Sequence, residues 1–181
     1  MPSTFFDIML SILAISGVLF CTTPDSIVSP IEDPSARSAM RKAFRAVSSE
    51  DQPLEAFFLA IESFTVNDPN DQAVIGFQAT AKLMEVESII NPLTKFEGFI
   101  KWRDVLEQSI RHSPQDHDLR FFRLTIQLHV PKILGYRGSI PDDEQSVANA
   151  LKSGVWENDP EHALFVRAFL LAFDLTSTES P

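Results

Sequence analysis

The 181-residue chain has one cysteine, one tyrosine and six glycines. A lone Cys, Cys21, excludes an internal disulfide framework and any cysteine-based zinc site. Six glycines argue against a many-stranded β fold, which needs tight turns at short intervals. No glycine-rich phosphate loop, no Gly-x-Ser-x-Gly elbow and no His-Glu-x-x-His pair occurs. Positive charge is also scarce: 15 Lys and Arg stand against 25 Asp and Glu, a net charge of -10. That balance disfavours nucleic acid or an anionic membrane surface as the main partner. Carboxylates are plentiful, but no spacing singles out a catalytic pair. Nothing here calls for a cofactor or a metal.

What the chain has is apolar mass. With 44% hydrophobic residues and 15 Phe it can bury a real core, and its length fits one domain after a leader. Ile8–Phe20 is an uncharged apolar run, too short to span a bilayer comfortably and of signal-peptide length. Asp7 precedes it and no Lys or Arg does; Ala14-Ile15-Ser16 offers a small-x-small cleavage site. A cleaved signal, a retained anchor and an ordinary buried helix all fit residues 1–21. Residues 22–33, with Pro24 and Pro30, read as a linker, residues 34–175 as a helical domain and 176–181 as a flexible tail.

Helix starts recur along the domain. Asp33-Pro34 opens a first helix with Met40, Phe44 and Val47 at helical spacing, and Asp51 to Pro53 a second with Phe57 and Ile61 inward. Asn67-Asp68-Pro69, Asn91-Pro92, Ser113-Pro114, Pro141 and Asn158-Asp159-Pro160 open five more; on the last, Leu164, Ala168 and Leu171 share a face. Pro69, Pro114 and Pro160 are 45 and 46 residues apart, the period of stacked helix pairs. Val74, Phe77 and Ala81 correspond to Leu119, Phe122 and Ile126 on that shift. The spacing predicts an all-α fold of about seven helices in stacked antiparallel pairs. Asp142, Asp143 and Glu144 crowd one helix start, where carboxylates complement the helix dipole and a metal site is the alternative. His129 reads as a packed or C-terminal capping residue.

The helix after Pro114 is apolar on two sides. Leu119, Phe122, Ile126 and Val130 form one face, Phe121, Leu124 and Leu128 the opposite one, with Arg120, Arg123 and Gln127 in a narrow strip between them. The 45-residue shift carries Arg123 to Gln78 and Gln127 to Lys82, whereas Arg120 falls on Ile75. In a stack of helix pairs such strips share a concave face, so Gln78, Lys82, Arg120, Arg123 and Gln127 form a candidate groove for a carboxylate, a phosphate or an acidic peptide. The alternative is that Arg120 and Arg123 pair with internal carboxylates.

Trp102–Pro114, with Leu106 and Ser109, resembles the second helix of a tetratricopeptide repeat. Asn91-Pro92, Lys95, Arg120-Phe121-Phe122-Arg123, Ile126-Gln127, Pro131 and Leu134-Gly135-Tyr136 together resemble a group of short exported bacterial proteins, all-helical and tetratricopeptide-like, with no assigned activity. The resemblance spans about residues 70–145 and departs at Trp102, where a Gly is expected, and in the leader, which lacks the usual basic start. It implies an exported, periplasmic or envelope location and adds Asn91, Lys95 and Tyr136 to the candidate site. Taken on their own, these residues read as a helix cap, a solvated Lys and a packed ring, and Gly135 as a positive-φ position.

The expected function is a non-enzymatic module binding a protein or peptide, acidic or carboxylate-bearing, on its concave face. An envelope protein enclosing a lipid or small molecule in an apolar cavity is the alternative, and an enzyme using Tyr136, Arg120, Arg123 and a carboxylate a third. Membrane contact is expected only through an uncleaved leader.

Overall fold

In the computed structural model, which describes residues 36–65 and 71–175, every regular element is helical. The described residues form seven α-helices: α1 (Ala36–Ser48), α2 (Leu54–Thr65), α3 (Gln72–Glu87), α4 (Pro92–His112), α5 (His117–His129), α6 (Ile140–Lys152) and α7 (Pro160–Ala172). A single 3-10 turn, Lys132–Leu134, follows α5. The leader, the linker, the Asp33-Pro34 and Asn67-Asp68-Pro69 starts and the C-terminal tail lie outside the described residues. None of the seven helices is long and apolar enough to cross a membrane.

Start chemistry sets most boundaries. Asn91 Oδ1 accepts from the Leu93 and Thr94 N–H groups and Pro92 sits at the first position of α4; Pro160 takes the same place in α7, and Pro141 the second position of α6. Pro114 does not start α5. Ser113 caps the end of α4, Ser113–Asp116 makes a turn, and Asp116 caps α5 by accepting from the N–H groups of Asp118 and Leu119. A carboxylate that satisfies two orphan donors sets the start better than a proline two residues upstream. The capping aspartates Asp71, Asp116 and Asp159 are therefore the repeated feature, 45 and 43 residues apart.

Neighbouring helices pack in order from α1 to α4, while α5 lies against α3, α4 and α6 and α1 meets α7. Helix α5 is thus central, with Leu119, Phe121, Phe122 and Leu124 fully buried. Phe122 meets Phe44 of α1 and Phe77 of α3, each at 4.7 Å between ring centroids, and Phe121 meets Phe169 of α7 edge-on at 5.2 Å. The approach of α3 to α5 is close enough that a Cβ at Gly76 would collide with the Leu119 side chain. Gly135, at φ 64°, ends the 3-10 turn in the left-handed region.

One face differs from the sequence reading. On α7 the buried residues are Val166, Phe169 and Leu170, while Leu164 and Leu171 are 66% and 61% exposed. Helix α7 is apolar almost all round, and ring packing on Phe121 selects the side that carries Phe165 and Phe169. Phe96 on α4 is exposed, because it stands at the edge of a groove described below.

Candidate functional site

The polar strip of α5 turns inward. Arg123 donates from Nε to Asp143 Oδ2 at 2.6 Å, from Nη2 to Asp143 Oδ1 at 2.8 Å and from Nη1 to Glu107 Oε2 at 2.8 Å. Arg120 adds an Nη1 bond to Asp143 Oδ1 at 3.1 Å and an Nε bond to the Pro114 carbonyl at 2.7 Å. Asp143 belongs to the acidic start of α6 and is 0% exposed; it serves as an internal counter-ion as well as a dipole partner. Burial alone would lower the Arg123 pKa, but the bonds and charge of Asp143, with those of Glu107, hold it above its ordinary value. Tyr136 donates from Oη to Glu107 Oε1 at 2.6 Å, and burial together with that bond raises the phenol well above its usual pKa. A phenol held protonated in this way is a poor general base at neutral pH.

The other sequence candidates are dispersed. Gln127 is buried, and its Oε1 has no hydrogen-bond partner among the described residues. Gln78 is exposed. Lys82 pairs with Glu85 at 2.9 Å and lies over the Phe58 ring, and Asn91 is spent on the α4 cap. Arg120, Arg123 and Tyr136 thus meet around Asp143 and Glu107, while Gln78, Lys82 and Asn91 sit elsewhere. Arg120 retains one opening, at an open polar hollow of about 570 Å³ with His117, Asp142, Ser146 and Asn149 in its wall.

A second ionic network escaped the sequence reading. Arg37, Arg41 and Arg45 follow one another four residues apart on α1. Arg37 bonds Asp116 at 2.8 Å, Arg41 grips both oxygens of Asp118 at 3.0 and 2.7 Å, and Arg45 reaches Asp159 at 3.3 Å and Glu161 at 3.0 Å. All four carboxylates belong to the caps or first turns of α5 and α7, so one helix clamps two helix starts. Trp156 Nε1 also donates to Asp118, at 2.9 Å, and His162 Nε2 lies 3.5 Å from it. Burial works to raise the Asp118 pKa, but His162 and Arg41 bring it below the usual carboxylate range. Burial lowers the pKa of His162 despite that neighbour. The signal was available in the four-residue spacing of the arginines. Among the described residues no group of three or more His, Cys, Asp or Glu is placed to hold a metal ion.

The remaining concavity is apolar. A groove of about 470 Å³ runs between α3, α4, the end of α5 and the 3-10 turn. Met84 and Val86 line it from α3, Phe96 and Phe99 from α4, Ile126 and Val130 from α5 and its cap, and Leu134 from the turn. Its ionisable lining residues are Glu87, Lys95 and His129. Lys95 is half-buried and makes no ion pair among the described residues. The His129 Nδ1 donates to the Thr125 carbonyl at 2.7 Å, its ring packs on Phe173, and burial lowers its pKa. Tyr136 supports the wall from behind, edge-on to Phe99 at 5.8 Å. No family model, curated protein or solved structure matches the chain.

Proposed function

We propose that this protein is a non-enzymatic binding module of the cell envelope whose ligand is an amphiphile, with an apolar chain in the α3–α4 groove and a carboxylate or phosphate end at Lys95. The observation that carries this reading is the groove itself. Its volume falls within the range of about 300–1,000 Å³ typical of small-molecule sites, and its lining is mostly apolar with a few polar groups. The half-buried ammonium of Lys95 makes no ion pair among the described residues, although Glu87 lines the same groove, and it suits an anionic end group. The arginine strip supports binding less well, because Asp143 and Glu107 already take the bonds of Arg123. The envelope location rests on the apolar run Ile8–Phe20, and N-terminal sequencing of the mature protein tests it; Met1–Phe20 retained on soluble cytoplasmic protein refutes it.

Titration with dodecanoate, followed by displacement of an anilinonaphthalene sulfonate dye, tests the groove. Val130→Trp, filling the groove from a half-buried position, should abolish displacement. Lys95→Gln should weaken dodecanoate about tenfold, the loss of one charged hydrogen bond, and leave dodecanol unchanged. If native protein binds neither compound, or if Val130→Trp binds both as native protein does, the reading fails.

A further inference from the structure

Eight large apolar side chains are exposed among the described residues: Leu59, Ile90, Leu93, Phe96, Ile133, Val155, Leu164 and Leu171. Phe96 lines the groove, and Ile90, Leu93 and Ile133 stand within two residues of lining positions in the chain. Leu93 and Phe96 are on the first turns of α4, and Ile90 precedes Pro92 in the α3–α4 connection. Ile133 stands on the 3-10 turn between the lining residues Pro131 and Leu134. Ile90 and Ile133 are 96% and 92% exposed, on two different connections at one groove. Scattered single apolar residues are ordinary on a surface, but several of them on the segments that line one apolar trough mark a contact site.

Charge follows the same geography. The chain carries 25 acidic residues, yet Ser88–Phe96 and Leu119–Pro141 contain none. Those two stretches hold both groove-bordering connections, and with them Lys95, Lys132 and Arg137. The protein as a whole would be repelled by a strongly anionic surface, while this end is apolar and close to neutral, with Glu87 in the groove and Glu97 beside Phe96 offsetting two of those three charges. That combination complements the phosphate and acyl layers of a mainly zwitterionic lipid surface. Isoleucines enter the acyl boundary, and lysine stems lie along it with their ammonium groups at the phosphates.

We infer that the Ile90 and Ile133 connections dock the groove mouth on a lipid bilayer, so that the amphiphile it takes is a membrane lipid or a fatty acid drawn from the membrane. This rests on the groove binding an amphiphile, as proposed above. It also adds a membrane contact independent of Ile8–Phe20.

Flotation of the full chain with phosphatidylcholine vesicles tests it, alongside Ile90→Ser plus Ile133→Ser in the same chain. Ile8–Phe20 is common to both proteins, so the difference between them reports the connections. The double variant should partition roughly a hundredfold more weakly, about tenfold for each isoleucine withdrawn from the interface. It should keep native melting and native dodecanoate affinity, since both side chains are exposed and neither lines the groove. Equal flotation of the two proteins overturns the docking. So does native protein that binds dodecanoate but stays off vesicles, a result that leaves the groove reading standing. Native protein that binds neither dodecanoate nor vesicles overturns both. A native dimer that the double variant turns into a monomer would assign the patch to a second copy of the chain and overturn the lipid contact.

Discussion

Replacing Arg123 by Ala should destabilise the protein by about 3 kcal/mol, the lower end of the range for removing one partner of a buried ion pair. The structure sets where in that range it falls. Asp143 would lose bonds of 2.6 and 2.8 Å and remain fully buried, with only the 3.1 Å bond from Arg120. Glu107 is partly exposed and keeps Tyr136, so it adds little. For a domain of this size the change is roughly a 10 °C fall in Tm. Arg120→Ala should cost about 1 kcal/mol, since Arg123 still satisfies both Asp143 oxygens. The double variant should lose more than the sum, because each arginine is the other's substitute at one carboxylate. Adding Asp143→Asn to Arg123→Ala should recover part of the loss by removing the uncompensated charge. Thermal melts followed by far-ultraviolet circular dichroism read all four variants. If the double variant melts with the native protein, the ion pairs carry no stability and the arginines become free to serve a ligand.

Three further outcomes follow from other contacts. His162 is neutral in the fold, and its pKa is depressed from 6.5, so the unfolded chain takes up the proton first; the stability it contributes is present above pH 6.5 and is lost as pH falls, at up to about 1.4 kcal/mol per pH unit. His129 has the same sign, so His162→Phe should reduce but not abolish the slope of stability against pH below 6.5 in urea melts, and an unchanged slope refutes the assignment. Gly76→Val should cost about 1–3 kcal/mol by driving α3 off Leu119, whereas Gly138→Ala, with open space around it, should leave Tm unchanged. Arg41→Ala, stranding buried Asp118, should cost about 3 kcal/mol, and Arg37→Ala less than about 1 kcal/mol because Arg37 is more than one-third exposed; equal losses would show that Asp118 does not depend on Arg41.

Helix number and most helix starts were legible because caps and prolines act within a few residues of the start they set. The Pro114 start was misplaced by three residues for the same reason: Asp116 competes locally, and only the bonds it makes reveal that it wins. The inward face of α7 was not legible, since a helix apolar all round offers no stripe and its neighbour chooses the face. The strip on α5 was recognisable as Arg120, Arg123 and Gln127, but its partners come from Glu107 and Asp143, on helices whose registers against α5 one sequence does not specify. The four-residue spacing of Arg37, Arg41 and Arg45 marked one face of α1, but their partners lie 77 to 116 positions away, where no periodic signal reaches. The groove was half visible. Lys95 of its lining and Tyr136 behind its wall were singled out, yet they read as members of an arginine site, because their neighbourhood is made by the fold.

The two ends of that reading connect through the network. Arg123 holds Glu107, Glu107 accepts the Tyr136 hydroxyl, and the Tyr136 ring stands edge-on to Phe99, which lines the groove. Arg137, the next residue, fastens the same segment to the Gln127 and Leu128 carbonyls of α5 at 3.1 and 3.3 Å. The segment that places Leu134 against the trough is thus anchored by polar groups outside the groove lining. Loss of amphiphile binding in an Arg123 or Tyr136 variant would therefore fail to show contact with the ligand. Tyr136→Phe separates the cases: it keeps the ring on Phe99 and removes only the bond to Glu107. If binding survives in Tyr136→Phe and fails in Tyr136→Ala, the ring shapes the groove wall. If both variants fail while Tm holds, the hydroxyl is needed at the site, and the α5 network belongs to the binding chemistry as well as to the fold.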